Sequence, residues 1–175
     1  MKISNSEPLI EKLRNVLVTY TKRNPTIGYC QGMNFLVGRL LKTMQFRPST
    51  EQGGMSKMEE LFFRFQEEED QDEVESFWIF VMMLESMLPI DYYSNMVGVV
   101  IDQKVFYDLF KQRMPDLSVH LEKVGFDPSL LAFQWLVCFL SYNLFQDVSL
   151  KVWDLFFLEG AKVIFRVSLA LIHLM

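Results

Sequence analysis

A chain of 175 residues has the length of one domain. Its 50% hydrophobic share supplies enough apolar surface to offset chain entropy, which excludes disorder as the main state. A net charge of −5 with no basic stripe argues against nucleic acid as a partner, and two distant cysteines, Cys30 and Cys138, fit a reducing compartment better than a disulfide scaffold.

Met1–Glu7 is polar and no apolar run follows it, so the start has no signal-peptide pattern, and the chain reads as cytoplasmic. Leu9, Ile10, Leu13, Val16, Leu17 and Tyr20 recur at helical spacing and share one face. Asn24-Pro25 ends that helix, because a residue before proline is pushed out of the α region. A turn through Thr26-Ile27-Gly28 leads to a second helical run from about Gln31 to Met44. Phe46–Lys57, with Pro48 and Gly53-Gly54, reads as a loop, and the uncharacterised stretch extends to Asp72. Glu67, Glu68, Glu69, Asp70, Asp72, Glu73 and Glu75 read as a solvated loop running into an acidic first helical turn, favoured by the helix dipole. A cation site or a dock for a basic partner is the other reading, but the Asp/Gly spacing of a calcium loop is missing.

Ser76–Leu88 is strongly apolar and stops at Pro89. Asp102–Arg113 reads as a helix, and Pro115 suits the first position of another. Asp127-Pro128 marks a further start, with Asp127 as N-cap, for a helix running through Trp135 to near Phe145. That stretch contains Gln134, Ser141 and Asn143 and is slightly short for a bilayer span, so it reads as a buried helix. Asp147 caps a helix that ends at Glu159-Gly160, where glycine suits a left-handed C-cap, and Ala161–Met175 forms a last apolar helix. With no strand alternation, the fold class is all-α, with eight or nine helices.

Familiar catalytic constellations are absent from the sequence. His120 and His173 have no partners at zinc spacing, so no metal site is expected. Cys30 lacks a nearby histidine to act as a thiol nucleophile, and Gly28, Gly32 and Gly38 do not form a phosphate loop. The informative block is Arg23-Asn24-Pro25-Thr26-Ile27-Gly28-Tyr29-Cys30-Gln31-Gly32-Met33-Asn34-Phe35. It sets a glutamine beside a glycine on a turn entering a helix. Small neighbours admit another protein's backbone, and an amide that both donates and accepts can orient a water against a phosphate. Equally, Gln31 can serve as a structural cap of the helix.

Gly28-Tyr29-Cys30-Gln31-Gly32-Met33-Asn34 resembles the second signature motif of TBC domains, the GTPase-activating modules for Rab GTPases. Leu13-Arg14-Asn15-Val16-Leu17 and Arg23-Asn24-Pro25 stand upstream as that pattern requires. Phe77-Trp78, Pro89-Ile90-Asp91-Tyr92-Tyr93, Pro115-Asp116-Leu117 with His120-Leu121, Gln134-Trp135-Leu136 and Val152–Gly160 follow in order. The resemblance runs from about Leu9 to Leu171 and implies that residues 1–175 are a partial Rab-GAP TBC domain.

The resemblance implies a GTPase activator, not an enzyme with a substrate of its own. Gln31 would act in trans to orient the attacking water. Gly28, Tyr29, Cys30, Gly32 and Asn34 would support it, with Tyr29 and Cys30 packing the turn and Asn34 fixing its backbone. No cofactor of its own is implied; GTP and magnesium would sit on a GTP-loaded Rab partner. Membrane contact would be indirect, through the Rab, with a cytoplasmic protein visiting endomembranes in vesicle trafficking. The alternative is a Rab-binding module without catalysis. The family's first motif, Ile-x-x-Asp-x-x-Arg, does not occur in these residues, and Arg14 and Arg23 do not match it. By family spacing its arginine falls just before Met1, so the domain is expected to be truncated at its N-terminus and also at its C-terminus. Trp135 and Trp153 are expected in the core, and Asp154 in a buried hydrogen-bond network.

Overall fold

The computed structural model describes residues 7–45 and 57–174, with no strand among them. Eight α-helices follow in order: α1 (Glu7–Arg23), α2 (Met33–Gln45), α3 (Lys57–Glu85), α4 (Val97–Arg113), α5 (Pro115–Val124), α6 (Ser129–Cys138), α7 (Gln146–Glu159) and α8 (Lys162–Leu174). A 3-10 turn, Ser94–Met96, precedes α4.

On α2, Met33, Leu36, Val37, Leu40 and Leu41 are buried. Their three- and four-residue spacing makes one stripe, and that stripe makes α2 the central element. It packs against α1 and α3 on one side and against α6 on the other. α4 in turn packs on α6 and α5, and α8 on α6 and α7. The molecule is therefore two helical groups joined where α2 meets α6. Trp135 and Trp153 lie in the core of the second group, as their apolar surroundings predict. Asp154 does not: it is exposed, because α7 turns Trp153 inward and the next residue outward.

The asparagine-proline signal ends α1 at Arg23 as read, and Pro115 occupies the start of α5. Four elements differ from the sequence reading, one of them α4, which begins at Val97 and not at Asp102. The run Glu67–Glu75 is neither a loop nor a first turn; it lies inside the 29-residue α3, so residues 57–72 are helical. Lys57–Asp72 holds five Glu and two Gln, which are strong helix formers, and contains neither glycine nor proline. Gln71 also donates to Glu75 at 3.0 Å, one turn along the helix. The rest of the loop reading, residues 46–56, lies outside the described residues.

The helix read as running to Phe145 stops at Cys138, because Phe139 (φ 48°) and Leu140 (φ 60°) are left-handed. At its start Asp127 accepts from the Ser129 N–H at 2.8 Å, with Pro128 at the cap position. Asp147 stands in the first turn of α7 rather than capping it, and Phe145 holds the cap position. Gly160 ends α7 with φ 85° and ψ −170°, a positive-φ conformation suited to glycine but not the left-handed helical one expected.

Candidate functional site

The Gly28–Asn34 turn sits where the two helical groups meet. It leaves α1 through Asn24, whose side-chain oxygen accepts from the Ile27 N–H at 3.3 Å while its carbonyl accepts from the Gly28 N–H at 2.9 Å. Glu85, at the end of α3, takes hydrogen bonds from Arg23 at 3.1 Å and Asn24 at 3.2 Å. Gly28 then adopts φ +64°.

Gly32 is the anchor of the turn. Its φ is +108°, and a Cβ there would lie 2.4 Å from Val137 Cγ1 and 3.3 Å from Cys138 Sγ. Only glycine lets the backbone rest on the last turn of α6 in this way. Cys30 fastens the other side: its thiol donates to the Tyr93 carbonyl at 3.2 Å and its N–H approaches the Met33 sulfur at 3.3 Å. Burial pushes the Cys30 thiol above its ordinary pKa. A protonated, donating thiol is a structural clip, the opposite of an activated nucleophile.

Tyr92 and Tyr93 complete the seat. The Tyr93 hydroxyl donates to the Val137 carbonyl at 2.8 Å, and Tyr92 reaches the Leu136 carbonyl at 3.4 Å. Trp153 Nε1 donates to the Phe139 carbonyl at 2.8 Å, and Ser141 Oγ to the Cys138 carbonyl at 2.6 Å. Side chains thus satisfy carbonyls that an interrupted helix would leave unpaired, which is how apolar Phe139 and Leu140 can hold a left-handed conformation.

Between these fastenings Gln31 is exposed, and its amide has no partner among the described residues. It does not cap α2. Tyr29 does not pack the turn as expected; it is 53% exposed, with its hydroxyl 3.5 Å from Asn34 Oδ1. Asn34 accordingly meets a side chain and not the backbone that presents Gln31; Gly32, Cys30 and the end of α6 hold that backbone.

Two contributors were missed in the sequence. The Tyr92-Tyr93 pair carries no local sign that its hydroxyls cap α6. Arg39, whose guanidinium donates to the carbonyls of Ser141 and Leu144, clamps the segment after α6 onto α2. A lone arginine in an otherwise apolar run, Phe35–Leu41, was the available signal. Among the described residues, no group of three His, Cys, Asp or Glu could hold a metal, and no helix is long and apolar enough to cross a membrane.

A family model for the Rab-GTPase-TBC domain matches residues 1–175. The chain belongs to the TBC domain family. It is 35% identical over 162 residues to TBC1 domain family member 2A of Rattus norvegicus, covering 92% of this chain and 15% of that protein. With growth hormone-regulated TBC protein 1 of Xenopus laevis it shares 37% identity over 170 residues, covering 96% of this chain and 42% of the relative. The crystal structure of a Chlamydomonas flagellar RabGAP TBC domain aligns with a TM-score of 0.70 at 27% identity, over 94% of this chain and 46% of that one. The TBC chain described here therefore spans less than half the length of each of these relatives. The all-helical architecture and the family reading of the motifs both agree with this membership.

Proposed function

We propose that this TBC domain acts as a GTPase-activating module for Rab-family small GTPases, with Gln31 placed in trans to orient the water that attacks the γ-phosphate. What supports this reading is one observation: an exposed amide, without a partner among the described residues, on a turn whose backbone is held by Gly32, Cys30 and the capped end of α6. Phosphoryl transfer is catalysed mainly by positioning and charge stabilisation, so a fixed turn is what a water-positioning residue needs. The GTP and magnesium belong to the loaded partner. Contact with endomembranes, and a role in vesicle trafficking, come through the Rab and its lipid anchor.

Charge stabilisation by an arginine finger contributes about 10³–10⁵ in rate, or roughly 4–7 kcal/mol of barrier. The motif that carries it in the family is not within residues 1–175. Weak acceleration is therefore expected from these residues alone.

The test is phosphate release from a panel of GTP-loaded Rabs. It compares these 175 residues, the same residues preceded by a segment carrying the Ile-x-x-Asp-x-x-Arg motif, and that longer version with Gln31→Ala. The expected result is strong stimulation by the longer version and a loss of roughly 10²-fold or more with Gln31→Ala. Binding of a Rab with hydrolysis left at its intrinsic rate would replace this reading with a non-catalytic Rab-binding module.

A further inference from the structure

Beside Gln31 lies an aromatic pair that the catalytic reading does not use. Phe35, in the first turn of α2, is 37% exposed, and Tyr142, in the segment between α6 and α7, is 54% exposed. Their rings meet edge to face with centroids 4.7 Å apart. The two stretches of chain are held together at both ends. Gly32 rests on Val137 and Cys138, while Arg39, one turn beyond Phe35, binds the Ser141 and Leu144 carbonyls that bracket Tyr142. The ring of Tyr142 is thus presented by an anchored segment, and little ordering entropy remains to be lost on binding.

The position of the pair follows from chain geometry. A standard interface covers about 800 Å² on each partner, a disc of roughly 16 Å radius. Four residues cannot separate Gln31 from Phe35 by more than about 14 Å, and the helical start of α2 makes the gap shorter. A globular partner whose contact is centred on Gln31 therefore has Phe35, and with it Tyr142, within its footprint. Exposed tyrosine and phenylalanine near the centre of an interface are the residue types that carry most binding energy.

We propose that Phe35 and Tyr142 form the apolar docking ridge for the GTPase, taking the apolar surface that flanks its nucleotide site, with Arg39 as the positioning residue. This rests on the reading that Gln31 works in trans. It assigns affinity to the ridge and rate to the glutamine, and the two assignments separate experimentally.

The test uses the Rab of the panel that responds best, loaded with a non-hydrolysable GTP analogue and titrated against the whole chain and its variants. Tyr142→Ala is expected to raise Kd about 30-fold, the effect of a hot-spot truncation, and Tyr142→Phe to keep it within threefold. Arg39→Met, which keeps the packed stem and removes the Nη2 that donates to both carbonyls, is expected to raise Kd severalfold. In stimulated hydrolysis Tyr142→Ala raises KM and leaves kcat nearly unchanged, whereas Gln31→Ala lowers kcat. Because Tyr142 is exposed, its variant should retain the parent's circular dichroism and urea midpoint. A folded Tyr142→Ala that binds within twofold of the parent overturns the ridge while leaving the role of Gln31 standing. Tight binding through the ridge with Gln31→Ala silent in rate overturns the catalytic reading alone. Failure of every Rab to bind overturns both.

Discussion

Replacing Gln31 by alanine removes an exposed amide with no partner among the described residues, so its effect on stability should stay within about 0.5 kcal/mol. Its neighbour has the opposite character. Gly32→Ala forces a side chain into a φ of +108° and drives a Cβ to 2.4 Å from Val137 Cγ1. Backbone strain and overpacking each cost about 1–3 kcal/mol, so the substitution should destabilise by about 2–6 kcal/mol. Urea denaturation of the two variants checks both figures, and equal midpoints would contradict this account of the turn. The buried hydroxyl of Tyr20 gives a third case, because it has no hydrogen-bond partner among the described residues. Tyr20→Phe keeps the edge-to-face contact with Phe80, centroids 5.0 Å apart, and removes an unpaired polar group. It should leave the urea midpoint unchanged or raise it, by up to about 1 kcal/mol in stability.

At the scale of the element, the end of α6 decides where the site lies. The helix stops inside an apolar run, and Tyr92, Tyr93 and Trp153 take the carbonyls of Leu136, Val137 and Phe139, while Ser141 takes that of Cys138 through both its hydroxyl and its N–H. Removing one hydroxyl leaves a buried carbonyl unpaired. Tyr93→Phe breaks a 2.8 Å bond and should cost about 1–3 kcal/mol, while Tyr92→Phe breaks one of 3.4 Å and should cost less. The Cys30 thiol donates to the backbone carbonyl of Tyr93, which Tyr93→Phe keeps, so the urea midpoint should fall while that fastening of the Gln31 turn is retained. A Tyr93→Phe protein with unchanged midpoint would show that the hydroxyl does not hold α6.

For the whole molecule, the sign of the buried titrations predicts alkaline weakness. Burial favours the neutral form of Cys138, whose pKa rises from 9.0 to about 11, and of Tyr20, from 10.0 to about 12. Cys30, Tyr92 and Tyr93 shift in the same direction for the same first reason. Below pH 9 both folded and unfolded chains keep these protons, and the stabilisation is complete. Above it the unfolded chain releases protons that the fold retains, so stability falls through the folded values, from about 11 to 12. Urea midpoints should be level to pH 9 and then decline steeply; a level profile up to pH 11 would contradict the burial of these groups.

Much of this was legible along the chain because helical signals are local. The stripe on α2, the asparagine-proline stop after α1, the proline opening α5 and the ordered motifs are each contained within a few residues, and together they determined the helical class, the family and Gln31 as the candidate. The acidic run reads as a loop from its polarity, but its glutamates are strong helix formers and continue α3. The left-handed break at Phe139-Leu140 had no local signal at all, since neither residue favours that conformation. It exists because hydroxyls and an indole more than ten residues away pair the freed carbonyls. The exposure of Tyr29, the clamp made by Arg39 and the meeting of Phe35 with Tyr142 likewise belong to tertiary structure. Which residues are present follows from the chain, but which of them share a surface follows from long-range packing, where each contact exists only after the helices have met.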